Sequence, residues 1–181
     1  MDSETTPTVR LEPWSEGDFD LLVRNNAPEM TEHLGGPETE EQVAARHRRY
    51  LAMDGTGGRM FRIALGAADT EGGRAGTTDA VGAIGYWVRE WGGLPAWETG
   101  WGVLTEFQGR GIAAAAARLI VERTRADGTR RHLHAFPSQD HPASNAVCRK
   151  AGFTLIGPCD FEYPKGHWLR SNDWRADLTQ P

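Results

Sequence analysis

Midway along the chain a strand-like run, Trp97 to Leu104, passes through Thr105 to Gln108 into the turn Gly109-Arg110-Gly111 and then an alanine-rich helix from Ile112 to about Arg125. A strand that feeds a helix through a glycine turn commits the chain to a layered arrangement, because the helix must bury its apolar stripe against a sheet. The same turn bears on function. The first N–H groups of a helix lack intrahelical acceptors and, with the positive end of the helix dipole, converge on one spot. Glycine lets the backbone approach a ligand without an intervening side chain. Arg110 adds positive charge, and no acidic residue lies between Gln108 and Ala113. An anion, most naturally a pyrophosphate, fits such a turn. The competing account is an ordinary strand-to-helix turn that uses glycine only for its backbone conformation.

The rest of the chain supplies the layers. Thr8 to Pro13 reads as a strand, and Ser15 with Asp18 resembles a capping box opening a helix through Phe19, Leu21, Leu22 and Val23. A second helix, about Glu40 to Met53, carries Val43, Ala44, Tyr50 and Leu51 at helical spacing. The period then changes to two in Met60 to Leu65, Val81 to Trp91 and Trp97 to Leu104, separated by turn residues. Asp69 to Asp79 is loop-like in composition and is expected to be mobile. After the alanine-rich helix come a strand at Arg131 to Phe136, a helix from Pro142 to Ala151 stopped by Gly152, and strands at Thr154 to Ile156 and His167 to Trp174. This order predicts a mixed sheet with helices on its faces.

With 181 residues the chain fits a single domain, 1–181. No apolar run is long enough for a membrane span, and the acidic start Met1-Asp2-Ser3-Glu4 is unlike a signal peptide, so a cytoplasmic location is expected. A formal charge of -5 argues against non-specific nucleic-acid binding and leans toward a cationic or amine-bearing partner. Two cysteines, Cys148 and Cys159, exclude a disulfide framework and a cysteine-based zinc motif.

Three anion-binding readings of the turn compete. A Walker loop needs Gly-x-x-x-x-Gly-Lys-Ser/Thr and is absent. Gly109 to Ala114 satisfies the loose Rossmann pattern, but a spacer separates it from its strand, and the next strand ends in Ala135, Phe136 and Pro137 rather than an acidic residue. The third reading is a resemblance. Gln108-x-x-Gly111-x-Ala113 matches the Gln/Arg-x-x-Gly-x-Gly/Ala motif of the GNAT N-acetyltransferase superfamily, and Pro142 to Phe153, ending Lys150-Ala151-Gly152-Phe153, is similar to its second motif. The order of elements from Val9 to about Trp174 is similar too, nearest to the branch with ribosomal-protein N-terminal acetyltransferases and antibiotic-modifying enzymes. That resemblance implies a mostly antiparallel sheet of about seven strands flanked by about four helices. It also implies acetyl-CoA as cofactor, with its pyrophosphate on Gln108, Gly109, Arg110, Gly111, Ile112 and Ala113 and its pantetheine arm along Gly102, Val103 and Leu104. His141 stands where that branch commonly has asparagine.

An amine that attacks a thioester needs a base, a polarised carbonyl and a proton for the leaving thiol. Alternation in Trp97 to Leu104 places Glu98, Gly100 and Gly102 on one face, where two glycines beside a carboxylate suggest a groove. Glu98 is the candidate base, with Trp97 and Trp101 as neighbours that could raise its pKa by excluding water; a solvated or salt-bridged glutamate is the plainer account. A backbone N–H of the Gly102 to Leu104 stretch is the oxyanion donor that the resemblance implies. Ser144, in the first turn of its helix, is by the same resemblance a cofactor contact and the proton donor to the thiolate, or else a local cap. His134 is the second candidate base. His132, His134 and His141 complete no recognisable metal spacing, so no metal is expected. Cys148 reads as a packed thiol rather than a nucleophile.

The function expected is therefore acetyl transfer from acetyl-CoA to a primary amine, a peptide N-terminus or a small aminated molecule, with a homodimer as the candidate assembly. A non-catalytic acyl-CoA or nucleotide-binding module of the same fold is the alternative. Tyr86, Trp87, Trp91, Trp97 and Trp101 are expected to border the acceptor cleft and to favour a cation through cation–π contacts.

Overall fold

The structure is a computed structural model and describes residues 8–66 and 80–180. The loop expected at Asp69 to Asp79 lies outside the described residues. Seven strands, β1 (Val9–Pro13), β2 (Gly58–Leu65), β3 (Ala80–Trp91), β4 (Leu94–Val103), β5 (His132–Ala135), β6 (Thr154–Glu162) and β7 (Trp168–Asp177), form one sheet in the order β1-β2-β3-β4-β5-β7-β6. Every neighbouring pair is antiparallel except β4 with β5. The helices are α1 (Phe19–Asn25), α2 (Pro28–Thr31), α3 (Glu40–Ala52), α4 (Ile112–Asp127) and α5 (Pro142–Lys150). None is long and apolar enough to cross a membrane.

Local chemistry accounts for most of these boundaries. Thr39 and Gln42 close a reciprocal box at the start of α3, the N–H of Gln42 donating to Thr39 Oγ1 and the N–H of Thr39 to Gln42 Oε1. Gly92 and Gly93, at φ of 59° and 76°, supply the two left-handed residues that a tight β3–β4 hairpin of matched twist requires. α2 brings the helices among the described residues to five rather than about four; at four residues, with proline at its start, it is too short to leave a periodic signal. β6 runs well past the expected Thr154 to Ile156. Gly157 and Pro158 read as breakers, but β6 is an edge strand, with an irregular register at Leu155/Gly157, and an edge tolerates both.

Alternation along β2, β3 and β4 divides the core between the two faces of the sheet. On one, Phe61, Ile63, Ile84, Tyr86, Trp97 and Leu133 pack with Ile112, Ala116 and Ile120 of α4 and Cys148 of α5. On the other, Met60 and Ala83 pack with Leu21 and Leu22 of α1, Val43 of α3, and Trp14.

Candidate active site

β4 and β5 share only two rungs, Trp97 with Leu133 and Glu98 with His134, and β5 ends at Ala135. Beyond Glu98 the strands part, and residues 99–103 of β4 keep a ladder partner on the β3 side alone. The N–H of Leu104 donates to the Val81 carbonyl at 2.9 Å. Alternate residues of an antiparallel strand direct their backbone groups to opposite sides, so Gly102 and Leu104 face β3 while Trp101 and Val103 face the opening. Of the stretch expected to border a pantetheine arm, Val103 therefore supplies the N–H aimed into the opening. Its carbonyl accepts Gln108 Nε2 at 2.9 Å, which ties the following turn to the strand.

In that turn Gly109 and Gly111 both have φ of 76°, a region in which a side chain meets its own backbone. Ala115 N–H donates to Gly111 O, the first bond of α4, so the N–H groups of Ile112, Ala113 and Ala114 carry no intrahelical bond. The Ile112 side chain is buried in the core, so only its backbone is available to a ligand. The exposed Arg110 donates from Nη2 to Glu106 O at 3.1 Å and lies over Phe107, which keeps its charge beside the turn. An array of unspent N–H groups next to a guanidinium, with no acidic residue in the first helical turn, suits a pyrophosphate.

Glu98 is buried at 8 % exposure, on the face shared with Trp87, Gly100 and Gly102. The two glycines do not leave an open groove. A Cβ at Gly102 would stand 2.5 Å from Asn25 Oδ1, and one at Gly100 would stand 3.0 Å from the Trp87 ring, so each glycine makes room for a neighbour already present. Burial pushes the Glu98 carboxyl above the usual carboxylate range, against the pull of Arg89, a hydrogen bond from Trp87 and the nearby His134. Arg89 Nη1 pairs with Glu98 Oε2 at 3.4 Å, and that oxygen is buried and has no hydrogen-bond partner among the described residues. Trp97 and Trp101 do not border this carboxyl: Trp97 is in the core on the opposite face, with Trp101 packed against it.

The same alternation corrects the aromatic cleft. Tyr86 is buried edge-on against Trp97, and Arg130 lies 4.3 Å from the Trp97 ring centroid. Trp91 borders the Glu98 face, but with Phe136 and Phe161 it already surrounds the guanidinium of Arg89. The aromatic surfaces expected to hold an acceptor's cation are thus largely occupied by the chain's own arginines; Trp87 remains beside Glu98.

Ser144 is the third residue of α5, half-buried and without a hydrogen bond from its hydroxyl among the described residues. His141, just before α5, stacks on His33 at 4.1 Å, and burial together with His33 pulls its pKa below the ordinary imidazole value. Cys148 is wholly buried, its thiol pushed up to about 12, in keeping with a packed rather than nucleophilic thiol. Among the described residues no group of three His, Cys, Asp or Glu side chains converges as a metal site. Arg89 and Asp173 carry no site signal in the sequence, and Asn145 only a faint one. Asn145 donates to Ser138 O and His141 O and accepts from Asn172 Nδ2 and Trp174 Nε1, so it fixes the start of α5 against β7. A polar residue one turn into a helix that opens with proline was its only signal.

The family profile described as Acetyltransferase (GNAT) domain matches residues 8–154. The chain belongs to the GNAT acetyltransferase family. It is an acetyltransferase by that domain, and the turn after β4 has unspent backbone donors that suit an anionic group. No curated protein matches the sequence closely. Solved GNAT structures share the fold at low identity. An acetyltransferase of Salmonella typhimurium that modifies the N-terminal serine of ribosomal protein L7/L12 is 20% identical, with 94% of this chain and 95% of that one covered and a TM-score of 0.73. A second acetyltransferase from Salmonella typhimurium, solved with acetyl-CoA, is 18% identical over 96% and 95%, with a TM-score of 0.70. The spermidine N-acetyltransferase of Vibrio cholerae, in complex with CoA and spermine, is 11% identical over 94% and 96%, also with a TM-score of 0.70.

Proposed function

We propose that this GNAT domain, spanning 1–181 as one unit, acetylates a primary amine on a peptide N-terminus or a small molecule by direct attack, without an acetylated enzyme. The observation that carries this reading is the buried Glu98 carboxyl, its Oε2 paired with Arg89 but accepting no hydrogen bond among the described residues, at the last rung before β4 and β5 part. Bound acetyl-CoA supplies an acetyl group activated as a thioester. The chain's residues do the rest. The turn from Gln108 to Ala113 holds the pyrophosphate, with His141 and Ser144 at the neighbouring start of α5, and the Val103 N–H faces the carbonyl oxygen that gains charge. Glu98, its carboxyl raised by burial and so better matched to an amine's proton, takes that proton directly or through water. Ser144 gives a proton to the leaving sulfur. Fold relatives act on a protein N-terminal serine in one case and on spermidine in another, so both acceptor classes are reasonable.

The test is thiol release from acetyl-CoA with a panel of peptide and small-molecule amines, run on the native chain and on Glu98→Gln. Amine-dependent release that drops about 10²–10⁴-fold in the variant with CoA affinity intact supports the assignment. Full turnover in Glu98→Gln at neutral pH removes Glu98 as the base.

A further inference from the structure

An ammonium group that becomes an amide loses two protons: its nitrogen arrives with three and leaves with one. One of the two is needed on sulfur and the other goes to solvent. Glu98 accounts for one removal, which leaves a second base to be found beside it.

His134 faces Glu98 across the last β4–β5 rung and is 5 % exposed. Its Nδ1 is 2.6 Å from Oδ1 of the buried Asp173. An ionised carboxylate only accepts hydrogen bonds, so in the neutral ring this contact puts the proton on Nδ1 and leaves Nε2 as a lone pair. Asp173 is itself held, its Oδ2 accepting Trp91 Nε1–H at 2.9 Å. The imidazole lies parallel to Phe136, 5.7 Å between centroids, and meets His132 edge-on. Nε2 has no hydrogen-bond partner among the described residues and is not one of the fully buried unpaired atoms, so it keeps a small contact with solvent although the ring as a whole is buried. The charged and titratable groups around it are Glu98 on β4, Arg89 on β3, Asp173 and Arg175 on β7, and His132 on its own strand.

We propose that Asp173 is a positioning residue for acetyl transfer: it holds His134 as the Nδ1–H tautomer, with Nε2 as the base that takes the second proton from the acceptor nitrogen. This rests on the reading of Glu98 above. Glu98 removes the first proton from the ammonium. The amine lone pair forms the N–C bond, and the C–S bond breaks with its electron pair on sulfur. The second nitrogen proton moves to His134 Nε2, giving an imidazolium whose Nδ1–H still faces the Asp173 carboxylate. The sulfur takes a proton from Ser144, which regains one from the imidazolium through solvent, and Glu98 releases its proton to water. The net change is one proton on sulfur and one in solution.

The experiment compares the full chain with Asp173→Asn and Asp173→Glu. Nuclear magnetic resonance of isotope-labelled histidine, assigned with His134→Gln, reads the tautomer without any need for turnover. The Nδ1–H form is expected in the native chain. In Asp173→Asn the amide oxygen stays with Trp91, its NH₂ turns a donor toward Nδ1, and the ring moves to the Nε2–H form. Turnover of Asp173→Asn is expected to fall about 10²-fold with unchanged KM for acetyl-CoA, and the acid limb of its kcat/KM profile should move to lower pH as the imidazolium loses its counter-charge. Asp173→Glu should recover part of the rate. An Nε2–H tautomer in the native chain overturns the proposal, as does native turnover and an unmoved pH profile in Asp173→Asn. Full turnover in Glu98→Gln beside a loss in Asp173→Asn sinks the Glu98 reading alone and supports His134.

Discussion

Two glycines bracket α4 and provide an internal control for the cofactor assignment. Gly109 precedes the helix at φ of 76° and Gly128 ends it at φ of 70°, and a Cβ added at either would meet nothing within 4 Å. Replacing either with alanine therefore imposes the same kind of cost, the left-handed penalty of about 1–2 kcal/mol, with no clash to add to it. In a chain of this length that corresponds to a fall in Tm of about 2–8 °C. The two variants should differ in CoA affinity alone. If the unspent N–H groups behind Gly109 hold the pyrophosphate, a change in the turn that misaligns one charge-assisted bond costs about 1.5–3 kcal/mol, or roughly 10- to 150-fold in Kd. Calorimetric titration of CoA into both variants, alongside thermal unfolding, separates the effects. Matched losses in Tm with a weakened Kd only in Gly109→Ala is the expected pattern. Native affinity in a folded Gly109→Ala, or equal weakening in Gly128→Ala, would show that the turn is conformational and that the anion lies elsewhere.

Other consequences follow from the same geometry. Because burial raises the Glu98 carboxyl above its unfolded value, its contribution favours the fold only at pH below the unfolded carboxylate range and is lost as pH rises through the folded value. Glu98→Gln should therefore raise Tm at neutral pH, with the gap closing in acid, even as turnover falls; a lower Tm at neutral pH would mean that Arg89 stabilises the ionised form more than burial opposes it. Asn145→Ala strips the buried Trp174 indole of its acceptor and frees two carbonyls, a loss of about 2–3 kcal/mol, seen as a Tm lower by about 4–12 °C. Ser144→Ala should lower kcat with little change in Tm, since the hydroxyl has no hydrogen bond to lose among the described residues; unchanged kcat with poor leaving-group analogues would rule it out as the proton donor.

The turn at Gln108 to Ala113 was legible because everything it needs is contiguous: two left-handed positions that call for glycine, a helix start, and no acidic side chain. Alternation likewise placed Glu98 on the face of Gly100 and Gly102, since the period of a strand is a local property. Which groups meet across that face was not legible. Arg89, Trp91, His134 and Asp173 come from three strands, and the distance from Asp173 to His134 depends on β7 pairing with β5 instead of with its sequence neighbours alone. The sense of the aromatic residues was likewise decided by the tertiary structure: Tyr86 and Trp97 point to the α4 side and Trp87 and Trp91 to the Glu98 side, while Arg130, distant in sequence, covers Trp97, and Arg89 is shared between Trp91 and the distant rings of Phe136 and Phe161. Backbone periods and turn conformations depend on adjacent residues, so the sequence determined most of the elements and the conformation of the glycine turn. Which charges meet, and whether a carboxyl is buried, depend on strand order and register, and those are set only when the whole sheet closes on its two cores.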